Sequence, residues 1–432
     1  NEKNFQKNIN KNLKRNMPAC IIYTSGTSGN PKGVILSHGG ILANCEGALE
    51  LLNPLIKKKD PVFLTWLPLS HSYEHAVQFI QILLGAKVFY AESLEKLISN
   101  MSIAKPTIMT AVPRFYQNLF NKINTNFNKQ SGFKKTLINK TLVLGKKALK
   151  KEHLDRNEKI VNFLCQILVR KKIQKQFGGN LQTFVSGGGA LDKNIGEFLN
   201  AVGLPTLQGY GLTETAPIIS VNRLTSIKMG SVGTALPSVS VKLGDDKELL
   251  VKGNNVFSGY YNISDSQQLF DSDGYFHTGD IAEEALDGSI SIIDRKKDIM
   301  INSAGKNITP TLIENALKSS PYIKESIVVG DGYKFVTALI QIDFDTVRSW
   351  AEQNEISYTN FKSLSQNQSV ISMINDEVYF INQSLASVQQ IKKIYILPKE
   401  LDHDDGEVTA TMKIKKKSLE KFYNKEIQNM YR

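Results

Sequence analysis

The sequence predicts an α/β protein whose large first part is built of helix-covered, mostly parallel sheet. Short apolar strands alternate with longer helical stretches up to about residue 220, for example at 62–67, 108–111 and 183–186. Such alternation is typical of a parallel sheet covered by helices. From about residue 228 the texture changes to short alternating strands and turns, which indicates antiparallel pairing.

A smaller α+β domain is predicted at the C-terminal end. After Arg295, strand patterns at 326–329 and 335–342 mix with helical patterns at 311–317 and 344–354. We therefore predict two domains, residues 1–294 and residues 295–432.

Composition favours a globular protein with acidic partners. Apolar residues make up 41% of the 432 residues and charged residues 22%, a balance that is unusual for a disordered chain. The net charge of +12 favours nucleotides, coenzyme A, anionic lipid or nucleic acid. Nucleic acid is the weakest of these, because the chain has no recognisable motif or aromatic platform for it.

Cysteine usage and hydropathy bear on the cellular compartment. Three cysteines without metal-ligand spacing argue against a disulfide scaffold and suit a reducing cytosol. No run reaches the roughly 20 apolar residues that a membrane span needs. The predicted location is cytoplasmic, with peripheral membrane contact left open.

Residues 115–177 form a lysine-rich segment with helical periodicity. One interpretation is a solvated helical face. The other is a docking surface for anionic lipid or for another protein.

The sharpest local signal is the run from Thr24 to Gly33, which we expect between a strand and a helix. Glycines let the backbone curl so that its N–H groups face inward, hydroxyls add donors, and a lysine adds positive charge, which together suit a polyphosphate. It is not a Walker A loop, and a Ser/Gly-rich linker is the bland alternative. The candidate phosphate-binding residues are Thr24, Ser25, Gly26, Thr27, Ser28, Gly29 and Lys32.

Two glycine-rich segments follow predicted strands. In the segment from Gly209 to Thr215, Gly209 and Gly211 allow close backbone approach, Tyr210 offers a flat face and Glu214 offers a hard oxygen ligand. In the segment from Ser186 to Leu191, three successive glycines leave room for a planar ring. Taken alone, either could be a structural turn.

Three further segments contain charged residues that are candidates for ligand contacts. Asp280, in a Tyr-Phe-His-Thr-Gly-Asp run, could accept hydrogen bonds from two vicinal hydroxyls. Arg295 and Lys297 lie in a charged run, and Lys413 lies in a basic stretch near the C-terminal end. On composition alone, the charged run with Arg295 and Lys297 is a solvated turn, and the stretch with Lys413 is part of a basic tail.

These motifs, in this order and spacing, resemble the adenylate-forming (AMP-binding) superfamily of acyl-coenzyme A synthetases, peptide-synthetase adenylation domains and beetle luciferases. The resemblance implies a small distorted barrel beside the parallel sheets and a mobile C-terminal domain that rotates about Lys297. It also implies the site roles: adenine against Tyr210, Gly188 and Gly189; the α-phosphate near Thr213 and Lys413; Mg²⁺ on Glu214 and Thr27; ribose on Asp280; ribose or phosphate on Arg295; and the pantetheine tunnel at Gly305.

The segments at 66–74 and 112–116 resemble the long-chain fatty acyl-CoA synthetase branch, and the basic helical insert is also typical of it. His71 would then lie near the acyl carboxylate. The implied reaction activates a long- or medium-chain fatty acid with ATP and Mg²⁺ as acyl-AMP and transfers it to coenzyme A. Alternatives are a ligase that loads a carrier protein and a non-catalytic nucleotide-binding module. The oligomeric state is left open.

The sequence departs from the family pattern in four places, of which Gln117, where a glutamate is common, carries little weight. Ala304 precedes Gly305 where many relatives have a second glycine, and Ala410 stands where a proline is usual. Only 23 residues precede Thr24, whereas relatives carry roughly one further domain's worth of chain there. We therefore expect a first domain that is short at its N-terminal side. If nothing supplies the missing sheet, one side of its core would be exposed.

Overall fold

The computed structural model describes residues 12–24, 31–263, 267–402, 404–408 and 414–432. The chain divides into two compact units. The larger comprises Asn1–Thr278 and Ala282–Ile292, and the smaller comprises Gly279–Ile281 and Ile293–Arg432.

Strands are distributed over both units. In chain order they are β1 (Pro18–Thr24), β2 (Lys32–Ser37), β3 (Val62–Thr65), β4 (Lys87–Tyr90), β5 (Ile108–Ala111), β6 (Thr183–Ser186), β7 (Thr206–Gly211), β8 (Ile218–Val221), β9 (Thr234–Ala235), β10 (Val239–Leu243), β11 (Glu248–Gly253), β12 (Gly259–Tyr260), β13 (Phe276–Glu284), β14 (Ile290–Arg295), β15 (Met300–Ile301), β16 (Asn307–Ile308), β17 (Ile323–Val329), β18 (Val336–Ile342) and β19 (Ile391–Ile396).

Helices cover the sheets. In chain order they are α1 (His38–Ile56), α2 (Ser72–Leu83), α3 (Leu97–Ala104), α4 (Pro113–Asn128), α5 (Gly132–Leu149), α6 (Arg156–Cys165), α7 (Lys171–Gln176), α8 (Lys193–Ala201), α9 (Pro310–Leu317), α10 (Phe344–Gln353), α11 (Phe361–Ser365), α12 (Gln368–Asn382), α13 (Lys416–Phe422) and α14 (Asn424–Tyr431). A π-helical turn, Gln166–Arg170, joins α6 to α7. Among the described helices, none is both long and apolar enough to cross a membrane.

The larger unit is built on a seven-stranded sheet in the order β4-β3-β5-β6-β7-β8-β9. Neighbouring strands from β4 to β7 are parallel, whereas β8 and β9 continue the sheet in antiparallel fashion. Phe184 and Met109 on the sheet and Tyr116 on α4 are fully buried in its largest apolar cluster. This arrangement confirms the predicted helix-covered, mostly parallel sheet.

Between residues 228 and 295, β9, β10 and β11 make antiparallel pairs, as the alternation predicted. β10 pairs with β11 within a four-stranded sheet of order β10-β11-β13-β14. A further three-stranded sheet has the order β1-β2-β12. β12 pairs with the edge of β2, with Tyr260 opposite Val34. This pairing places Tyr260 beside the strand that follows the phosphate-loop motif.

One local expectation was wrong. The phosphate-loop motif lies between two strands rather than between a strand and a helix, because β2 returns antiparallel to β1 with Thr24 opposite Lys32. The predicted helix follows one strand later as α1. Apolar residues on β2 such as Val34 and Leu36 are buried, so pairing back onto β1 satisfies the backbone while covering them.

The smaller unit confirms the predicted α+β arrangement. Its three-stranded sheet has the order β17-β18-β19, in which β17 and β18 are antiparallel and β18 and β19 parallel. Every residue of β18 is buried. Helices α9, α10 and α12 contribute the buried Ile313, Val347 and Ile374 to the apolar cluster against this sheet.

Candidate active site

The turn that carries Thr213 and Glu214 comes directly after β7. It is a single 3₁₀ turn, Thr213–Thr215, closed by side-chain bonds: the Leu212 N–H donates to Thr215 Oγ1 at 3.0 Å and that hydroxyl donates to the Pro217 carbonyl at 2.5 Å. A Cβ at Gly211 would lie 1.7 Å from the Pro217 carbonyl oxygen. Glycine is therefore required for the close backbone approach that the sequence suggested.

Two buried asparagines hold the far end of this turn. The Asn44 amide on α1 donates to the Thr215 carbonyl at 3.2 Å and accepts from the Ile218 N–H at 2.6 Å. The Asn255 amide donates to the carbonyls of Thr215 and Ile218, each at 3.1 Å. Both asparagines are 1% exposed. The sequence analysis did not identify them. An asparagine on an apolar helix face, as at position 44, can indicate a buried side chain that hydrogen-bonds to the backbone.

Tyr260 links Lys32 to Glu214. Its hydroxyl donates to Glu214 Oε1 at 2.8 Å, and the Lys32 ammonium lies 5.0 Å from the centre of its ring, a cation–π distance. The lysine of the phosphate-loop motif and the candidate metal-binding carboxylate thus meet at one side chain. Nothing in the sequence identified Tyr260, which is 46 residues from Glu214.

The donor set around Glu214 is compatible with a hard cation. A carboxylate has about four lone-pair sites, and the Tyr260 hydroxyl bond occupies one of them. Mg²⁺ prefers hard oxygen ligands such as carboxylates. The Glu214 carboxylate therefore fits a magnesium ion chemically.

The start of α2 packs against this turn. Ser72 Oγ lies 3.1 Å from Thr213 Oγ1, and the Tyr73 hydroxyl donates to the Val185 carbonyl at 2.8 Å. A Cβ at Gly187 would come within 2.7 Å of the Tyr73 ring, so the glycine lets the turn after β6 lie against that ring. His71 caps α2, with its Nδ1 accepting from the Tyr73 N–H at 3.2 Å.

The glycines proposed for the adenine edge lie at the surface. Gly188 and Gly189 are exposed, and Gly188 has a φ of +76°, a conformation that favours glycine. Tyr210 and Gly209 on β7 are half-buried, and the Tyr210 ring packs beside an apolar cluster that includes Leu236 and Val251. A flat ring could therefore approach both segments from solvent.

Asp280, Arg295 and Gly305 belong to the smaller unit. Asp280 is 3% exposed, and its Oδ1 lies 2.7 Å from Arg295 Nε. Asp280, predicted to hold ribose, and Arg295, predicted to contact ribose or phosphate, are thus directly paired. Gly305 lies exposed in the turn between β15 and β16 with a φ of +73°, and the Asn302 side chain accepts from the flanking N–H groups of Ala304 and Lys306.

Six of the predicted site residues lie outside the described residues. They are Lys413 and, in the phosphate-loop motif, Ser25, Gly26, Thr27, Ser28 and Gly29. Of that motif the described part includes Thr24, whose hydroxyl donates to the Lys32 carbonyl at 3.4 Å. Within the larger unit, direct contacts link Lys32 to Glu214 through Tyr260, and Thr213 to the start of α2.

Comparison with known proteins identifies the family. Residues 1–261 match the family described as AMP-binding enzyme, and residues 297–432 match the AMP-binding enzyme C-terminal domain. The chain is 31% identical to the long-chain-fatty-acid–CoA ligase FadD15 of Mycobacterium bovis, covering 97% of this chain and 70% of that protein. It is 30% identical to the peroxisomal long chain acyl-CoA synthetase 6 of Arabidopsis thaliana, covering 96% of this chain and 61% of that one.

Solved structures share the fold. ATP-bound MatB from Rhodopseudomonas palustris aligns with a TM-score of 0.67 at 22% identity, covering 97% of this chain and 70% of that one. The O-succinylbenzoate coenzyme A synthetase of Bacillus subtilis, in complex with ATP and a magnesium ion, aligns with a TM-score of 0.65 at 21% identity, covering 94% and 71%. These likenesses, together with the family matches, confirm the predicted superfamily and fold class. The chain belongs to the AMP-binding enzyme family, and it spans about 60–70% of the length of the curated long-chain acyl-CoA ligases it matches.

Proposed function

We propose that the chain is an ATP-dependent acid–thiol ligase that activates a long- or medium-chain fatty acid as acyl-AMP and transfers the acyl group to coenzyme A. The observation that carries this proposal is that Tyr260 contacts both Lys32 and Glu214. It places a lysine suited to binding phosphate near a carboxylate suited to binding a metal ion. The named activities of the long-chain-fatty-acid–CoA ligase relatives support the substrate class.

In the first half-reaction the fatty carboxylate attacks the α-phosphorus of ATP and pyrophosphate leaves. Thr24, Lys32 and the intervening hydroxyls and amides would hold the β- and γ-phosphates, while Tyr210, Gly188 and Gly189 receive adenine. Thr213 donates to the α-phosphate, and Glu214 with Thr27 would hold Mg²⁺. When bound, that ion neutralises phosphate charge.

In the second half-reaction the coenzyme A thiolate attacks the acyl carbonyl, and AMP leaves. We propose that the boundary between residues 1–294 and 295–432 acts as a hinge at Lys297, so that Lys413 serves the first step and Gly305 the second. Asp280 holds the ribose, and Arg295 contacts the ribose or a phosphate. Because the mixed anhydride is already activated, orientation of the thiolate supplies the main further requirement.

A carboxylate screen tests the proposed reaction. Pyrophosphate release is measured with acids from acetate to long-chain fatty acids, with coenzyme A or an acyl carrier protein as acceptor. We expect turnover to rise with chain length and thioester to form on coenzyme A. Thioester on the carrier protein alone would favour the carrier-loading alternative, and absence of ATP binding by calorimetry would favour a non-catalytic module.

Replacing Tyr260 by Phe tests the residue that links Lys32 to Glu214. The change keeps the ring under the Lys32 ammonium and removes the hydrogen bond to the Glu214 carboxylate. A hydrogen bond to a charged group contributes about 1.5–3 kcal/mol, so pyrophosphate release should fall by about tenfold or more. The Mg²⁺ concentration that gives half-maximal rate should rise, because the carboxylate is less well oriented.

Tyr261→Phe is the matched control, since the neighbouring tyrosine is 46% exposed and loses the same hydroxyl. It should leave both the rate and the Mg²⁺ requirement unchanged. Equal behaviour of the two variants would contradict a role for Tyr260 in orienting Glu214.

We further propose a cytoplasmic protein with peripheral contact to an anionic membrane. The lysine-rich segment at 115–177 supports this, and a specific surface within it is described below.

A further inference from the structure

An exposed row of large apolar side chains runs along the helix that begins with α6. Five members are exposed by 40–64%, and they are Ile160, Phe163, Leu164, Ile167 and Leu168. Successive members are three residues and one residue apart in turn, which places all five on one face of a helix. We call this set the apolar stripe.

The opposite face of the same helix is well packed, so the exposure is not a frayed end. Cys165, Val169 and Ile173 are buried. Arg170 is 6% exposed, and its guanidinium donates to the Ala201 carbonyl at 2.8 Å and to Asn162 Oδ1 at 2.8 Å. A helix fixed in this way has its second apolar face at the surface of the described residues. Single exposed apolar residues are ordinary, whereas a continuous row marks a surface that another body covers.

Exposed cations lie at both ends of the stripe. Arg156 and Lys159 lie at its N-terminal end, and Lys171, Lys172 and Lys175 lie at its C-terminal end. Within residues 156–176 the acidic residue is Glu158, and its carboxylate is bound to the Lys147 ammonium at 2.5 Å. Asp155 and Glu152, just before the helix, are the nearest exposed acids along the chain.

An apolar face between clusters of lysine and arginine matches the chemistry of a lipid–water boundary. Bulky side chains such as Phe163 and Ile167 can enter the region between headgroups and acyl chains, while lysine side chains reach the phosphates. Each cation near an anionic membrane surface contributes about 1 kcal/mol of attraction. A second copy of the chain would present the same positive charge and be repelled at these ends.

We propose that the apolar stripe and its flanking cations form a docking surface for an anionic lipid bilayer. The helix lies in the plane of the interface with the stripe directed into the lipid. The proposal concerns a surface and not a reaction, so it stands whether or not the ligase activity is found.

Vesicle co-sedimentation of the full chain tests the proposal. Vesicles of phosphatidylcholine alone are compared with vesicles that also contain phosphatidylglycerol, at low and at high salt. We expect binding to the anionic vesicles and a loss of binding at high salt, since exposed charges are screened. Equal binding to both kinds of vesicle, or no binding to either, would overturn it.

Two pairs of variants separate charge from hydrophobicity. Lys171→Glu with Lys172→Glu should lower the partition constant on anionic vesicles by at least about tenfold. The control is Lys57→Glu with Lys58→Glu, an exposed lysine pair elsewhere in the larger unit, which should leave the constant unchanged.

Phe163→Ser with Ile167→Ser should lower the same partition constant by about tenfold. Leu94→Ser with Ile103→Ser, which are 65% and 72% exposed, is the matched apolar control.

A gain of signal guards against misfolded variants. Phe163→Trp should bind as the parent does and show a blue-shifted indole emission with anionic vesicles, because the ring enters lipid. An unshifted emission on bound vesicles would overturn insertion of the stripe. Concentration-dependent dimerisation by ultracentrifugation that Phe163→Ser with Ile167→Ser abolishes, without vesicle binding, would assign the stripe to a second copy instead.

Discussion

Replacing Lys413 by Ala should reduce acyl-AMP formation by about a hundredfold or more, the scale seen when one positioned charge-stabilising donor is removed. The lysine would neutralise charge as the carboxylate oxygen and the leaving pyrophosphate share the α-phosphorus. Its role is assigned from the resemblance of the basic stretch around it to the family's motif, since Lys413 lies outside the described residues. Pyrophosphate release in the presence of fatty acid measures this first step.

The second step supplies the internal control. Synthetic acyl-AMP and coenzyme A should still give thioester with the Lys413→Ala variant, because the attack of the thiolate does not need this charge. Lys417→Ala, an exposed lysine four residues away, should retain both steps. Loss of both steps in a folded Lys413→Ala variant would contradict the role given to the lysine.

Replacing Glu74 by Gln should remove a pH dependence from the stability of the larger unit. Glu74 on α2 is 0% exposed, and burial raises its pKa to about 7, partly offset by hydrogen bonds from Thr65 and Thr110. Its Oε2 accepts from Thr110 Oγ1 at 3.4 Å. Tyr73 next to it also has a raised pKa, through burial and the Glu74 charge.

The sign follows from proton binding. Between the ordinary value of 4.5 and about 7, the folded protein holds a proton on Glu74 that the unfolded chain has released. The free energy of unfolding therefore falls as pH rises through this window, by about 3 kcal/mol in total. Glutamine is neutral at every pH and close in shape, so the variant should lose this slope and be the more stable form above pH 7.

Urea unfolding followed by Trp66 fluorescence measures the effect in the larger unit. The Trp66 indole donates to the Thr110 carbonyl at 2.9 Å, which places the probe beside the group that titrates. The second of the two tryptophans, Trp350, is replaced by Phe in all samples. Glu152→Gln, at an exposed position, is the control, and equal slopes for it and Glu74→Gln would contradict a neutral buried carboxyl.

The sequence by itself determined the family, the order of the elements and many of their bounds. β5 and β6 begin and end at the predicted residues, and β18 differs by one residue from its pattern at 335–342. These successes share a cause, since apolar periodicity and glycine placement act on neighbours along the chain. The glycines of the 209–215 segment likewise indicated a close approach, which the Gly211 environment explains.

Tertiary structure decided which distant residues meet. Lys32, Glu214 and Tyr260 are brought together because β12 pairs with β2, and Asn44 reaches Thr215 across 171 positions of sequence. The stripe from Ile160 to Leu168 has the spacing of an ordinary buried helix face, and only the packing of the opposite face exposes it. Local patterns specify which surfaces are apolar or charged, whereas the order of strands and the competition for burial decide which of them find a partner within the chain.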